Sequence, residues 1–268
     1  MLAPSVWFVL LAAVTAGAWA AGWWSARHSA VGARLAVMVG LIWLGFWVAL
    51  HYRPDVAVMT MPSWLLSRLE GTASVPAFML IVGVAMSAAA LPRQRAMARC
   101  SAVVGAAVFV YGGVWMIQPA PTLGGSSNVP GRAMQSTEYT CVAAASATAL
   151  DLIGVPASEL EMVELTGTRR GQGATFIRAY DGLRRKLEGT TFQPRIVRAD
   201  LDDLGQLPMP ALTALTTRPT SRHMVVITRV TDQFVWVFDP ATGDRQMLHD
   251  EFDREYARDV ILFVRSTP

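Results

Sequence analysis

The chain of 268 residues is 53% hydrophobic and only 16% charged, with a formal net charge of +3. Ordinary soluble domains have about 25% charged residues, and disordered chains have few hydrophobic ones, so the composition argues against both a single soluble globule and a disordered chain. Residues 1–125 have a net charge of +5 and residues 126–268 a net charge of −2. The positive charge therefore lies between hydrophobic runs and does not indicate nucleic-acid binding. The uneven charge predicts two structural units in different surroundings.

Four apolar runs, each without Asp, Glu, Lys or Arg, predict a membrane domain over residues 1–118 with four transmembrane helices. Each run is near the lower end of the length that spans a bilayer core of about 30 Å. The first run is not a standard signal peptide, because no Lys or Arg precedes it and its apolar part is too long. Gly83 and the small residues around it predict close helix packing in the third run. The four runs cover residues 6–24, 35–52, 75–91 and 100–118.

The orientation of the predicted membrane domain follows from its arginines. The connections after the first and third runs contain five arginines, whereas the connection after the second contains two. Because basic loops stay in the cytoplasm, both termini and the whole second half are predicted to lie outside it. Within the connection at 53–74, the amphipathic segment 61–69 fits either a helix on the membrane surface or an ordinary loop with a helical turn.

Residues 119–131 are rich in Pro, Gly and Ser and predict a linker, after which a second domain is predicted over residues 132–268. In this domain, helical patterns precede short runs of β-branched and aromatic residues, which is typical of the α+β class. The predicted helices cover residues 141–153, 158–165 and 175–187, with one or two further helical turns at 251–257, and the predicted strands cover residues 191–197, 211–217, 224–230, 234–238 and 260–264.

Cys141 is the lone cysteine of the second domain, so an internal disulfide and a Cys₄ or Cys₂His₂ zinc site are both excluded by count. A free cysteine is commonly a small buried hydrophobic residue, and that interpretation stays open. The position of Cys141 at the head of a predicted helix favours a nucleophile, because the partial positive charge of a helix N-terminus stabilises a thiolate.

His223 and Asp239 are the predicted partners of this thiol. His223 opens an apolar strand, and folding the chain about Thr231 sets position 223 opposite position 239. Asp239 would then accept a hydrogen bond from one imidazole nitrogen and leave the other for the thiol. Asp239 before Pro240 also fits a plain turn cap. Gln135 can supply a side-chain amide to the oxyanion of the attacked carbonyl, although taken by itself it is better explained as a solvated loop residue.

The motifs around these residues resemble one peptidase family. They read Gln-Ser-Thr-Glu-Tyr-Thr-Cys from Gln135 to Cys141, His-Met-Val-Val-Ile from His223, and Phe-Asp-Pro around Asp239. Their order and spacing resemble the double-glycine leader peptidases, the cysteine peptidases that process bacteriocins. The resemblance covers roughly residues 128–265 and implies a papain-like fold. It also implies Cys141 as nucleophile, His223 as base and then acid, Asp239 as orienter and Gln135 in the oxyanion hole. The sequence gives no reason to expect a metal or an organic cofactor.

The chain departs from the family pattern in two ways. Thr140-Cys141-Val142 stands where the family commonly has Asp-Cys-Gly, and no P-loop of an exporter is present. The chain therefore resembles a stand-alone relative, anchored in the bacterial inner membrane, whose peptidase domain acts outside the cytoplasm on a peptide or protein substrate. Gly124 and Gly125 in the linker also raise self-cleavage as a hypothesis.

Two other functions stay open at this point. One is an inactive papain-like module that binds or senses a peptide at the membrane. The other is a protein whose membrane helices do the work. It is disfavoured because the apolar runs contain no ionisable residue other than His51 at one end, whereas transport normally needs such groups inside the membrane. A partner protein in the membrane is also left open by the sequence.

Overall fold

The computed structural model describes residues 4–123, 128–129, 131–218 and 221–265. Gly124 and Gly125, the hypothetical self-cleavage site, lie outside these described residues. The helices are α1 Pro4–His28, α2 Ala30–Tyr52, α3 Pro54–Thr60, α4 Ser63–Leu69, α5 Ser74–Ala88, α6 Pro92–Ile117, α7 Cys141–Leu152, α8 Glu159–Thr166, α9 Phe176–Lys186, α10 Leu201–Leu204 and α11 His249–Glu255. The strands are β1 Asn128–Val129, β2 Arg132–Ala133, β3 Phe192–Arg198, β4 Ala211–Arg218, β5 Ser221–Val230, β6 Phe234–Asp239, β7 Gly243–Leu248 and β8 Tyr256–Arg265.

The chain divides into two compact units. The first unit combines Met1–Arg53 with Arg68–Gln118, and the second combines Pro54–Ser67 with Pro119–Pro268. The second unit therefore includes a short segment that lies, in sequence, between two apolar helices of the first.

The first unit is helical. Three of its helices are long and apolar enough to cross a membrane, over Val6–His28, Ala30–Tyr52 and Pro92–Val114. The third predicted run forms α5, which has 15 residues. At 1.5 Å per residue this helix is shorter than a bilayer core of about 30 Å. By length and composition the described residues thus hold three such helices, or four if α4 and α5 together make one span.

Helices α1 and α5 approach each other closely because both have glycine at the contact. A Cβ atom at Gly83 would lie 2.2 Å from the carbonyl oxygen of Trp19, and one at Gly22 would lie 2.1 Å from the carbonyl oxygen of Leu80. Only a residue without a side chain leaves room for two backbones at this distance. The close packing predicted for the third apolar run is therefore confirmed at Gly83.

The second unit has helices first and a sheet after them, which confirms the predicted α+β order. Its six-stranded antiparallel sheet has the strand order β3-β8-β4-β5-β6-β7. One face packs against α7, α8 and α9 through residues such as Leu212, Val226 and Phe238. On the other face, strand residues such as Val225 and Val237 form a second apolar core with α10 and α11. The alternation of neighbouring residues between the two faces follows the period of two of a strand.

Helix α7 lies in the middle of the unit and is buried along almost its whole length. The residues from Val142 to Leu150 are all buried, and most of them are alanine, serine or threonine. Small side chains allow a helix to lie close to the sheet and to α8 at once. The chain leaves the helix at Gly154, whose φ of +80° is a conformation that glycine adopts without strain.

The second unit contains elements that were not predicted. Strand β7 follows the predicted hairpin as an edge strand, the short pair β1 and β2 precedes α7, and the short helices α3 and α10 were also missed. Strand β7 has the sequence Gly-Asp-Arg-Gln-Met-Leu, in which Met247 is the buried residue. A one-sided edge strand with charged side chains has no continuous apolar signal, which is why the sequence pattern missed it.

The segment 54–67 packs on the C-terminal part of the second unit. The Ser63 hydroxyl donates a hydrogen bond of 2.7 Å to the Asp181 carboxylate on α9, and the Arg184 Nε donates one of 3.0 Å to the Ser63 oxygen. Ser63 and Asp181 are both buried, and Val58 packs against the apolar core. Helix α4 covers Ser63–Leu69 of the amphipathic segment 61–69, and Ser63 at its start docks on α9.

Candidate active site

Cys141 is the first residue of α7, at the end of a tightly bonded loop. The Thr140 side chain is fully buried, and its oxygen accepts a hydrogen bond of 3.1 Å from the Thr137 backbone N–H. The Thr140 carbonyl accepts the first helical bond, from Ala144, at 3.0 Å. These bonds fix the start of the helix, so the thiol lies half-buried at the positive end of the helix dipole.

His223 on β5 and Asp239 at the end of β6 are in direct contact. The distance between His223 Nε2 and Asp239 Oδ1 is 2.7 Å, and an ionised carboxylate only accepts, so Nε2–H is the donor. The other ring nitrogen, Nδ1, is then available to the thiol, and the side chains of His223 and Cys141 are hydrogen-bonded. The structure thus brings together three of the four residues singled out from the sequence.

The strand pairing that produces this contact differs from the predicted one. The structure pairs Val230 with Val235 and Val226 with Phe238, a register different from the one that sets His223 opposite Asp239. The direct 223–239 pairing was therefore wrong. The two side chains are nevertheless in contact, with 2.7 Å between His223 Nε2 and Asp239 Oδ1.

Asp239 is almost completely buried, at 5% exposure, and has further partners. Its Oδ1 accepts a hydrogen bond of 2.8 Å from the Ala241 backbone N–H, which is the turn-cap contact that the sequence also allowed. Its Oδ2 lies 3.5 Å from a guanidinium nitrogen of Arg245, and Arg245 in turn lies 3.6 Å from Glu251. Arg245 is on β7, so it was missed together with that strand.

The ionisation of the three groups is coupled. Burial acts to raise the pKa of the Cys141 thiol, but hydrogen bonds with His223 and with the backbone at Met224, together with the His223 charge, outweigh burial and lower that pKa. Burial acts to lower the pKa of His223, but its hydrogen bonds with Asp239 and Cys141 and their charges raise it to about 9. The lowered thiol pKa and the raised imidazole pKa together favour a thiolate beside an imidazolium.

The carboxylate that supports the imidazolium stays ionised over the same range. Burial acts to raise the pKa of Asp239, but the hydrogen bonds from His223 and from the Ala241 N–H lower it to about 2. Asp239 is therefore negatively charged at every pH at which His223 changes its protonation.

Gln135 is attached to the same hairpin through its backbone. The Gln135 N–H donates a hydrogen bond of 2.9 Å to the carbonyl of Pro240, the residue after Asp239. Its side-chain oxygen is buried and has no hydrogen-bond partner among the described residues. The residue is thus held against the Asp239 turn, six positions ahead of the thiol.

Within the described ranges, no three His, Cys, Asp or Glu side chains gather in a way that could hold a metal ion. An open cavity of about 410 Å³ lies beside β2, and its polar lining includes Arg132, Thr148, Asp151 and Glu161. Its lining excludes Cys141, so this cavity is separate from the thiol.

Comparison with known proteins adds a family and several relatives. The model of the peptidase C39 family matches residues 132–268. An uncharacterized protein of Methanothermobacter marburgensis is 30% identical over 131 residues, which are 49% of this chain and 86% of that protein. A protein of Pseudomonas aeruginosa described as the probable functional amyloid protease FapD is 30% identical over 125 residues, which are 44% of this chain and 53% of FapD.

The similar solved structures have lower sequence identity to this chain than these two relatives. A double glycine motif protease from an AMS/PCAT transporter, solved in complex with the leader peptide, is 20% identical with a TM-score of 0.44, and the match covers 56% of this chain and 99% of that one. The peptidase domain of Streptococcus ComA is 21% identical, also with a TM-score of 0.44, over 50% of this chain and 96% of that domain.

Proposed function

Since this chain belongs to the peptidase C39 family through residues 132–268, we propose that it is a membrane-anchored cysteine peptidase. The family match confirms the resemblance to double-glycine peptidases over the C-terminal part. The observation that supports activity best is the hydrogen-bonded series from Cys141 through His223 to Asp239, with 2.7 Å between the last two side chains. In this proposal Cys141 is the nucleophile, His223 the base and acid, and Asp239 the orienting group.

The reaction follows from the two protonation states of His223. With the thiol proton on His223, the Cys141 thiolate attacks the carbonyl carbon of the peptide and forms a C–S bond. The imidazolium then gives its proton to the leaving nitrogen, the C–N bond breaks, and the amine departs. Neutral His223 next takes a proton from water, whose oxygen attacks the thioester. The acid product leaves, and the thiolate–imidazolium pair is restored.

Gln135 completes the proposed site. The attacked carbonyl becomes an oxyanion that needs hydrogen-bond donors. The Cys141 backbone N–H, at the free N-terminal end of α7, is one donor, and the Gln135 side-chain amide is the second. The contact that supports this role is the bond from the Gln135 N–H to Pro240, which ties the residue to the Asp239 turn.

We further propose that the chain crosses the membrane four times. The segment 54–67 docks on α9 through Ser63 and Asp181, so this segment and the C-terminal part must lie on the same side of the membrane. The number of crossings between residues 67 and 119 is then even. Since α6 is long and apolar enough to cross, α5 must cross as well, helped by local thinning of the bilayer.

The arginine bias puts the proposed peptidase on the outer side of the inner membrane. A reporter that is active only in the cytoplasm, fused after residue 268, should give no signal. The same reporter inserted in the connection at residues 89–91 should give a strong one. The reverse pattern would place the peptidase in the cytoplasm and would leave the argument for four crossings intact.

The activity is tested with the full chain in detergent. The probe is an N-acetylated fluorogenic anilide of Leu-Gly-Gly, the sequence of residues 123–125. Cys141→Ser should reduce hydrolysis by at least about 10⁴-fold, because it removes the nucleophile. Cys100→Ser changes the other cysteine, which lies in α6, and should leave the rate unchanged. Equal rates in wild type and Cys141→Ser would contradict the proposal, and absence of hydrolysis by wild type would favour the peptide-binding alternative.

A further inference from the structure

The first residue of α8, Glu159, is a buried carboxylate that the proposed reaction does not use. Only 2% of Glu159 is exposed. An ionised carboxylate at this depth is costly unless donors compensate it. Within the described part of the chain Glu159 makes no ion pair with a basic side chain. Its compensation therefore comes from hydrogen bonds.

Two hydrogen bonds to the Glu159 carboxylate come from one residue, Ser136. The Ser136 backbone N–H donates to Glu159 Oε1 at 2.8 Å, and the Ser136 hydroxyl donates to Oε2. A bidentate contact of this kind fixes both the position and the orientation of the peptide unit that joins Gln135 to Ser136. The contact joins residues that are 23 positions apart in the chain.

The peptide unit before Gln135 is fixed as well. The Gln135 N–H is bonded to Pro240 at 2.9 Å, so Gln135 has one anchor on the Asp239 turn and one, through Ser136, on α8. Its side-chain oxygen has no hydrogen-bond partner in the described residues. The side chain is thus directed mainly by the backbone on either side of it, and Glu159 fixes one of those two sides.

We propose that Glu159 is a positioning residue, which holds the 135–136 backbone so that the Gln135 amide faces the oxyanion. This inference rests on the proposed function. It differs from a general structural role in one respect, because the effect of Glu159 on catalysis must pass through Gln135. Removing Glu159 should therefore cost nothing further once the Gln135 amide is gone.

A double-mutant cycle on the full chain tests this dependence, with the Leu-Gly-Gly anilide as substrate. Removing one oxyanion donor costs about 10²–10³-fold in kcat, and a displacement of about 1 Å costs about 10²-fold. Glu159→Ala should lower kcat by about 10–100-fold with KM nearly unchanged, whereas in the Gln135→Ala background it should lower kcat by less than about threefold. An equal loss in both backgrounds would overturn the proposal.

Glu161 provides a matched control. It lies in the same first turn of α8 and has the same charge, but it is more exposed and pairs with Lys186 at 2.6 Å. Glu161→Gln should leave kcat unchanged. If Glu159→Ala fails to fold, Glu159→Gln replaces it. Its amide oxygen still accepts from the Ser136 N–H, so its loss should be smaller, about three- to tenfold.

Amide hydrogen exchange separates this inference from the proposed activity, since it needs no substrate. In Glu159→Gln, exchange in the peptide that covers residues 134–140 should be at least about tenfold faster than in wild type, with exchange in α9 unchanged. Unchanged exchange in the 134–140 peptide would overturn the positioning role even if the enzyme were active. If wild type shows no hydrolysis but exchange is still faster in Glu159→Gln, Glu159 anchors the loop and only the proposed peptidase activity fails.

Discussion

The two units of this chain are stabilised by opposite means. The helices of the first unit have large apolar side chains on their exposed surface, as at Val14, Ile42 and Val103, and α1 and α5 meet where glycines allow two backbones to touch. The second unit buries its apolar side chains on both faces of a sheet and buries carboxylates among hydrogen-bond donors. Substitutions should therefore act sterically in the first unit and through unpaired polar groups in the second.

After loss of the nucleophile itself, the largest expected effect is in the second unit, at Asp239. Asp239→Ala removes the acceptor of His223 Nε2–H and should lower kcat/KM for the Leu-Gly-Gly anilide by about 10³-fold, because the imidazole loses its orientation and its supporting charge. Asp239→Asn keeps an oxygen acceptor, as in Cys-His-Asn enzymes, and should lose only about tenfold. Equal losses in the two variants would show that the contact with His223 is not what matters.

The next effect is steric and belongs to the first unit. Gly83→Ala introduces a Cβ atom 2.2 Å from the Trp19 carbonyl oxygen, so α1 and α5 must separate, at a cost of about 1–3 kcal/mol. We expect a lower midpoint of thermal unfolding in detergent and an unchanged alkylation rate at Cys141. Gly17→Ala is the control, because a Cβ atom added at Gly17 would have no neighbour within 4 Å outside its own stretch of helix. A similar midpoint for the two variants would show that the close approach is not needed.

An effect of comparable size is expected where the segment 54–67 docks. Ser63→Ala removes the donor to the buried Asp181 carboxylate, and leaving a buried acceptor short of a partner costs about 1–3 kcal/mol. Ser67→Ala lies one turn further along α4 and loses only a bond to the Trp64 carbonyl of the same helix. Limited proteolysis between residues 52 and 62 should be faster for Ser63→Ala than for Ser67→Ala. Equal rates would contradict the docking.

The smallest effect is predicted at Arg245. Its guanidinium lies 3.5 Å from Asp239 Oδ2 and is itself 37% exposed, so solvent screens much of the interaction. Arg245→Gln should lower kcat by only about three- to tenfold and leave the unfolding midpoint nearly unchanged. Arg254, on α11, bonds only to the Asp250 carbonyl among the described residues, so Arg254→Gln is the control. A loss as large as that of Asp239→Ala would mean that Arg245 acts on the substrate directly.

The part of the molecule that could be predicted differs between the two units for a physical reason. Hydrophobic runs predicted the helices of the first unit, but they could not show that α5 is short. In the second unit, the motifs around Cys141, His223 and Asp239 predicted which side chains meet. The strand register was wrong because the hairpin turns between the paired residues Val230 and Val235 and not symmetrically about Thr231, and the alternation of side chains does not fix the position of a turn.

The roles of residues that act through contacts with distant parts of the chain could not be predicted from the sequence. Glu159 in the first turn of a helix, one position after the N-cap Ser158, is an ordinary arrangement that completes a helix start. Nothing in the pattern links it to Ser136. The contact of Arg245, on the unpredicted strand β7, and the contact of Ser63 with Asp181 could not be predicted for the same reason. Each forms only when the fold brings separate segments of the chain together.

The most direct test of the account is the pH dependence of Cys141 alkylation in the full chain with Cys100→Ala, compared with the same chain plus His223→Ala. Because the thiol pKa is lowered, alkylation should already be fast below pH 7, and it should need a pH above about 8.5 in the His223→Ala variant. Hydrolysis should decline as the pH rises through about 9, since His223 then loses the proton needed by the leaving amine. Slow alkylation that begins only above pH 8 in both proteins would contradict a thiolate–imidazolium pair and identify Cys141 as a structural thiol.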